Sequence, residues 1–402
     1  MRKASWLSTG GVVLYFVIAL EVLVMISPFA AFFYAVMNPV LLFLDGWPAT
    51  RWLSAFFLPH MIPPPGALLA ALRVAGSALF LVGAAAFLVC AAQVYGHKLL
   101  RRGPAFRGAY GLIRHPQYVA LAVTGLGLSV LWPRFLTLVL WAAMIGVYDL
   151  LARDEERRML AGFGDGYREY MDRTGRFLPR PLEAALGRLP GPRGGGARAA
   201  LLAVTVGAAA LLAGFALRAY TVAQLPLWTD GAAWALPVLP GDAPMLEHRL
   251  PAALELEPIR TRLAAAGGEP VLIYVVPPGY VMQGMIADTG PEWRLFQRHQ
   301  TAAMIADWVL HPFSHLEGHH AGMLPGAHHD LAGAGGMTRR LIFLRVTPGG
   351  RPAPPTGATL FAISARREPL FFADVDLHAL VVQAVQELPP GSGWGRVPTP
   401  LF

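Results

Sequence analysis

"AYGLIRHPQYVALAV" (residues 109–123) and "YDLLARDEERRML" (residues 148–160) place charged and aromatic side chains at the two ends of a long apolar stretch. The first leads a basic loop into an apolar helix, with Arg114, His115 and Tyr118 at the edge and Pro116 breaking the backbone between them. Between the two stretches lie apolar segments over about 117–132 and 135–150, separated only by "WPR". Each has about 16 residues, roughly 24 Å as helix, which is short of a 30 Å hydrocarbon core. Their joint reading is a tight helical hairpin with Trp132 as an interface anchor at its tip. A tight turn forces the two outer ends together. Arg114, His115 and Tyr118 should then sit beside Asp154, Glu155 and Glu156. Such a pocket suits a mixed-charge ligand: carboxylates for an ammonium or ribose hydroxyls, arginine for a carboxylate, aromatic rings for a planar base.

The rest of the chain supplies a membrane setting. Of its 402 residues, 55% are hydrophobic and 14% charged, and the mean hydropathy is +0.46. That is too apolar for an ordinary soluble protein. The lone cysteine, Cys90, lies in an apolar run, which excludes a disulfide framework and a zinc–thiolate cluster. The net charge of +8 is uneven: residues 1–219 hold 21 Lys/Arg against 10 Asp/Glu, and residues 220–402 hold 12 against 15. The basic residues cluster in loops flanking apolar segments, a pattern of membrane topology rather than of nucleic-acid binding.

Five spans are expected. The first covers about 8–36 and carries Glu21 in mid-membrane; a re-entrant or interfacial piece follows it. After the stiff break "MIPPPG" (61–66), the second covers about 67–95, the hairpin supplies two more, and the fifth covers about 199–217. The apolar start is too long for a cleavable signal peptide. Lys98, Arg101, Arg102, Arg107 and Arg114 crowd the 96–114 loop with no acid among them, so this loop, the N-terminus and the 153–198 stretch should be cytoplasmic. Residues 220–402 then lie outside the cytoplasm, in a protein integral to the inner or plasma membrane.

In the tail, "VLIYVV" (271–276), "RLIFLRV" (340–346) and "TLFAIS" (359–364) read as strands from their β-branched and aromatic content. "PEWRLFQRHQTAAMIADWVL" (291–310) and "ADVDLHALVVQAVQEL" (373–388) read as helices. The fold class is thus a multi-span α-helical membrane protein with a C-terminal extramembrane α/β or α+β domain. Six of the twelve histidines fall in residues 311–330, and His311, His315 and His319 recur every fourth residue near Glu317 and Asp330. Pro312, Gly318 and Gly322 oppose a regular helix there, so the stretch reads as a polar loop and no metal is assigned.

"RHPQY", an apolar hairpin, the "EE" at 155–156 and "FGDGYREYMDRTGRFLP" (163–179) together resemble the isoprenylcysteine carboxyl methyltransferase and phospholipid methyltransferase superfamily. The resemblance covers about residues 66–180. It implies an integral membrane enzyme using S-adenosylmethionine. By this resemblance His115 and Tyr118 match the cofactor-contacting pair, Arg114 and Pro116 complete that motif, and Glu155 and Glu156 match the acids that close the site. Tyr167, Tyr170 and Pro179 match the flanking helix and tail. Ala120 departs from the glycine usual in the family and adds a methyl group beside the pocket.

The expected organisation is an N-terminal span and interfacial segment (1–65), a methyltransferase-like core (66–180), a Gly/Pro/Arg linker (181–198), a membrane helix (199–219) and an extracytoplasmic domain of unassigned role and partner (220–402). The expected reaction moves a methyl group to a lipophilic acceptor, a prenyl-cysteine carboxylate or a phospholipid amine, entering from the membrane lipid. Glu156 and His115 are the candidate catalytic groups, because an amine acceptor needs a base whereas a carboxylate does not. The alternatives are an NADPH-dependent membrane reductase on a related scaffold and a non-catalytic anchor displaying the C-terminal domain.

Overall fold

Long apolar runs give this chain its membrane-length helices, and a short valine- and isoleucine-rich run gives it its central strand. The computed structural model describes residues 38–59, 66–188, 195–278, 280, 287, 337–347 and 356–389. In chain order the helices are α1 (Asn38–Gly46), α2 (Arg51–Ser54), α3 (Ala67–Leu99), α4 (Ala109–Leu112), α5 (Pro116–Leu131), α6 (Phe135–Arg173), α7 (Arg180–Gly187) and α8 (Gly195–Ala223). Then come β1 (Trp228–Asp230), β2 (Ala233–Pro237), α9 (Ala243–Leu254), α10 (Glu257–Ala265), β3 (Val271–Val276), β4 (Thr338–Thr347), α11 (Gly357–Leu360), β5 (Arg366–Asp376) and β6 (Val381–Glu387). The chain divides into two compact units, one of Met1–Val40 with Ala71–Phe215, the other of Leu41–Ala70 with Ala216–Phe402.

The described residues of the first unit are mainly helical. Among the described residues, Ala67–Leu99, Phe135–Arg173 and Ala197–Ala223 are long and apolar enough to cross a membrane; Pro116–Leu131 is shorter. The count differs from the expected five. The first expected span, with Glu21, lies outside the described residues, and α5 has only 16 residues. The fourth apolar segment does not end near 150 either: its helix continues through the charged stretch to Arg173, bent at Gly164, whose φ of 54° suits a residue without Cβ. Residues 181–187 of the expected linker are helical, as part of α7.

The hairpin forms as its composition suggests. Trp132–Arg134 turn the chain between α5 and α6, and the Trp141 indole donates to the Ala122 carbonyl at 2.8 Å across the pair. Small residues let α3 approach α5 closely. A Cβ on Gly127 would lie 2.3 Å from the Phe80 nitrogen, and one on Gly83 2.6 Å from the Thr124 nitrogen.

The second unit is a six-stranded sheet in the order β1-β2-β3-β4-β5-β6, antiparallel except for the parallel pair β2/β3. That parallel pair is joined through α9 and α10. Alternate residues serve opposite faces. Leu272, Tyr274, Ile342 and Phe372 pack on one side with Leu360 and Phe361. Ile273, Val275, Phe343 and Phe371 pack on the other with Leu246, Leu250 and Ile259 of α9 and α10. Burial on both faces explains why β3 is an unbroken apolar run.

The strands expected at 271–276 and 340–346 are β3 and part of β4. Two other expectations are corrected. "TLFAIS" does not form a strand: Thr356 caps a single helical turn, exchanging hydrogen bonds with Thr359. Residues 373–388 are not a helix but the end of β5, a turn and β6. The Asp376 carboxylate accepts the amides of His378 and Ala379 in that turn, and Leu380 takes φ 54°. The helix expected at 291–310 and the histidine-rich stretch 311–330 lie outside the described residues.

Candidate functional site

Pro116 opens α5 at its first turn, where a missing amide costs nothing, and leaves His115 as the capping position. The preceding residues pair with the segment after α6. The Arg114 amide donates to the Gly175 carbonyl at 2.8 Å, and the His115 amide to the Arg176 carbonyl at 3.1 Å. Gly175 fits because a Cβ there would lie 1.9 Å from the Leu178 carbonyl oxygen. The two polar clusters that the hairpin separates in sequence are therefore joined through backbone as well as through side chains.

Glu156 lies at the centre. Its Oε1 accepts from Arg114 Nε at 2.7 Å and from Arg176 Nε at 3.1 Å, and its Oε2 accepts from Arg176 Nη2 at 2.5 Å. Arg114 also donates through Nη1 to the carbonyls of Met171 and Thr174. Glu155 differs. Its Oε1 accepts the Tyr118 hydroxyl at 2.6 Å, its Oε2 lies 3.2 Å from His115 Nδ1, and its side chain remains 34% exposed. His115 Nε2 is buried, lies 3.4 Å from Glu156 Oε1 and has no well-directed hydrogen bond. Burial by itself would lower the imidazole pKa, but hydrogen bonds and charge from Glu155 and Glu156 outweigh it and raise the pKa above the ordinary 6.5.

Aromatic rings extend this cluster inward. His115 stacks on Tyr118 with centroids 5.6 Å apart, and Tyr118 stacks on Tyr148 at 4.7 Å. Leu121, Trp141, Met144 and Ala152 complete a buried apolar wall around them. Tyr167 and Tyr170 are buried nearby, Tyr170 donating to the Tyr110 carbonyl at 2.6 Å, and Pro179 caps α7. Ala120 is buried, its carbonyl accepting from the Thr124 hydroxyl.

The structure thus gathers Arg114, His115, Pro116, Tyr118, Glu155 and Glu156 into one place. It does not add Asp154, which pairs with Arg157 and Arg158 on an exposed part of the helix. At 100° per residue, position 154 points about 200° away from 156. Sequence reading missed Arg176 and Asp149. Arg176 Nη1 lies 3.3 Å from Asp149 Oδ1, and Asp149 also accepts from Arg153 at 2.7 Å. The available signal was spacing: Asp149 precedes Glu156 by seven residues, two helical turns, so both acids share a face.

Among the described residues no group of His, Cys, Asp and Glu is placed to hold a metal. No protein-family description, curated protein or solved structure matches this chain.

Proposed function

We propose that this chain is a membrane-embedded methyltransferase using S-adenosylmethionine and a lipophilic acceptor, either a prenyl-cysteine carboxylate or a phospholipid amine. In this reading the expected span at about 8–36, α3, the two helices of the hairpin and α8 make up five spans. The cluster faces the cytoplasm with the N-terminus, and residues 220–402 lie on the other side. The observation that carries the reading is the meeting of Glu155, Tyr118 and His115 beside an apolar aromatic wall.

The residues fit the cofactor. Glu155 is a half-open carboxylate for an ammonium or ribose hydroxyls. His115 Nε2 is a buried polar atom short of a partner. Bound there, the cofactor would supply a sulfonium methyl group open to in-line displacement. The protein's share is positioning and water exclusion. Tyr118 and His115 orient Glu155, and the wall from Leu121 to Tyr148 keeps the site dry and open to an apolar tail. The reductase alternative needs a cation for a 2′-phosphate, whereas Arg114, Arg153 and Arg176 are each engaged with a carboxylate.

The test is binding of labelled S-adenosylmethionine and of NADPH to the full chain in detergent, followed by methyl transfer into a total lipid and protein extract. Saturable S-adenosylmethionine binding that a His115→Ala/Glu156→Ala variant loses is the expected result. Equal binding by both proteins, or preference for NADPH, removes the proposal.

A further inference from the structure

Arg176 falls within the 163–179 stretch, but the resemblance assigns it no role, and it touches both the histidine turn and the acids of α6. Its carbonyl accepts the His115 amide at 3.1 Å, and its own amide donates to Glu183 Oε2 at 2.8 Å. Its guanidinium spans two turns of α6, taking Glu156 with Nε and Nη2 and Asp149 with Nη1. A planar fork gripping two carboxylates fixes direction as well as charge. Asp149 is itself braced by Arg153.

This changes what the paired acids can do. Both oxygens of Glu156 are engaged by Arg114 and Arg176, and its residue is almost wholly buried. Glu155 has one hydroxyl and one imidazole for company and an open side. We propose that Arg176, braced by Asp149, is a positioning residue that locks Glu156 as the anchor of the cluster and leaves Glu155, with His115, as the acid that faces a ligand. The inference rests on the methyltransferase reading only for the identity of that ligand. It also reassigns the candidate catalytic role from Glu156 to Glu155.

The test follows the His115 imidazole by NMR in the full chain, with histidine rings labelled and H115Q used for assignment. Groups facing that ring are Glu155 and Glu156 of α6, Tyr118 of α5, and Arg114, Arg176 and Phe177 beside it. Removing a cation from this set favours the imidazolium. In R176M the His115 titration therefore moves to higher pH, and R176K, which restores charge without the fork, recovers part of the way. E156Q moves it to lower pH. D149N, which keeps Arg176 but removes an anion beside it, moves it to lower pH by less than E156Q does. A loss of mere structural support would lower stability without this ordered set of shifts. Labelled S-adenosylmethionine should bind R176M about tenfold more weakly and E155Q more weakly still.

An unchanged or lowered His115 titration in folded R176M overturns the proposal; if R176M does not fold, the same result in R176K does so. If the wild-type chain binds no S-adenosylmethionine while the shifts occur as described, the positioning role stands and the methyltransferase reading falls. If E155Q binds the cofactor as wild type does while E156Q does not, the assignment of Glu155 is overturned.

Discussion

In the helical unit one carboxylate, Glu156, holds two guanidiniums and lies against an imidazole. In the sheet unit, among the described residues, Asp242 takes Arg339 alone through two hydrogen bonds of 2.7 and 2.8 Å, and Asp374 takes Arg340 alone through two of 2.6 Å. The sheet pairs do local work. Arg340 and Asp374 are direct cross-strand partners on β4 and β5, and the Arg340 guanidinium lies 4.0 Å from the centre of the Phe372 ring. The helical network instead joins four stretches of chain and leaves one of its acids open. Pairwise ion pairs hold neighbours in register, whereas a shared carboxylate assembles a site.

The largest expected effect breaks that contrast at its centre. Glu156→Ala takes the shared carboxylate from Arg114 and Arg176 at once and should destabilise the protein by about 3–5 kcal/mol. Asp374→Ala takes the carboxylate from one guanidinium that retains some access to water, and about 1–3 kcal/mol is expected. Thermal unfolding of the two variants in the same detergent gives the comparison. Equal losses would mean that sharing Glu156 adds nothing to a simple pair.

Next comes Gly175→Ala. The new Cβ would meet the Leu178 carbonyl at 1.9 Å, so the backbone that pairs with Arg114 must move. Overpacking of this kind typically costs about 1–3 kcal/mol. On the methyltransferase proposal the displacement should also weaken the binding of labelled S-adenosylmethionine. A control on the sheet, Gly231→Ala, meets no atom within 4 Å and strains only a turn with φ 56°. It should lower the unfolding temperature slightly and leave binding alone.

Legibility divides along the same line. The hairpin and its two polar ends could be read because both depend on spacing along a helix and on a short turn. Strand β3 could be read because burial on both faces demands an unbroken apolar run. Residues 373–388 misled because Leu377, Val381, Ala384 and Leu388 also satisfy a helical spacing; Asp376 and the turn it caps mark the break. Arg176 was hidden for a different reason. Its partners lie 20 and 27 residues earlier, and only the return of the chain after α6 brings them within reach.

Acidity supplies a smaller effect. His115 is held above its ordinary 6.5 because the two acids outweigh burial. A group raised in the folded state contributes stability that is complete below its unfolded value and disappears as pH rises through its folded value. Wild-type protein should therefore lose unfolding temperature from near neutrality upward, and H115Q should lose less over the same range. Parallel curves for the two proteins between about pH 5 and 9 would show that the imidazolium does not support the cluster.

The smallest effect lies at the sheet edge, where Arg262 Nε meets Glu387 Oε1 with side chains 34% and 66% exposed. Such a pair gives up little solvation and gains little, so Glu387→Gln should change stability by less than about 1 kcal/mol. What matters is how this difference responds to salt. At 1 M the Debye length is about 3 Å, enough to screen exposed charges. The small difference between wild type and Glu387→Gln should vanish there, because ions can reach both partners. The difference between wild type and Glu156→Ala should persist, because protein surrounds Glu156 on every side that an ion would need. Unfolding temperatures of the three proteins at low and high salt separate these cases. A Glu156 effect that faded with salt as the Glu387 effect does would place the cluster at an open surface, and a shared carboxylate there could not organise a dry site.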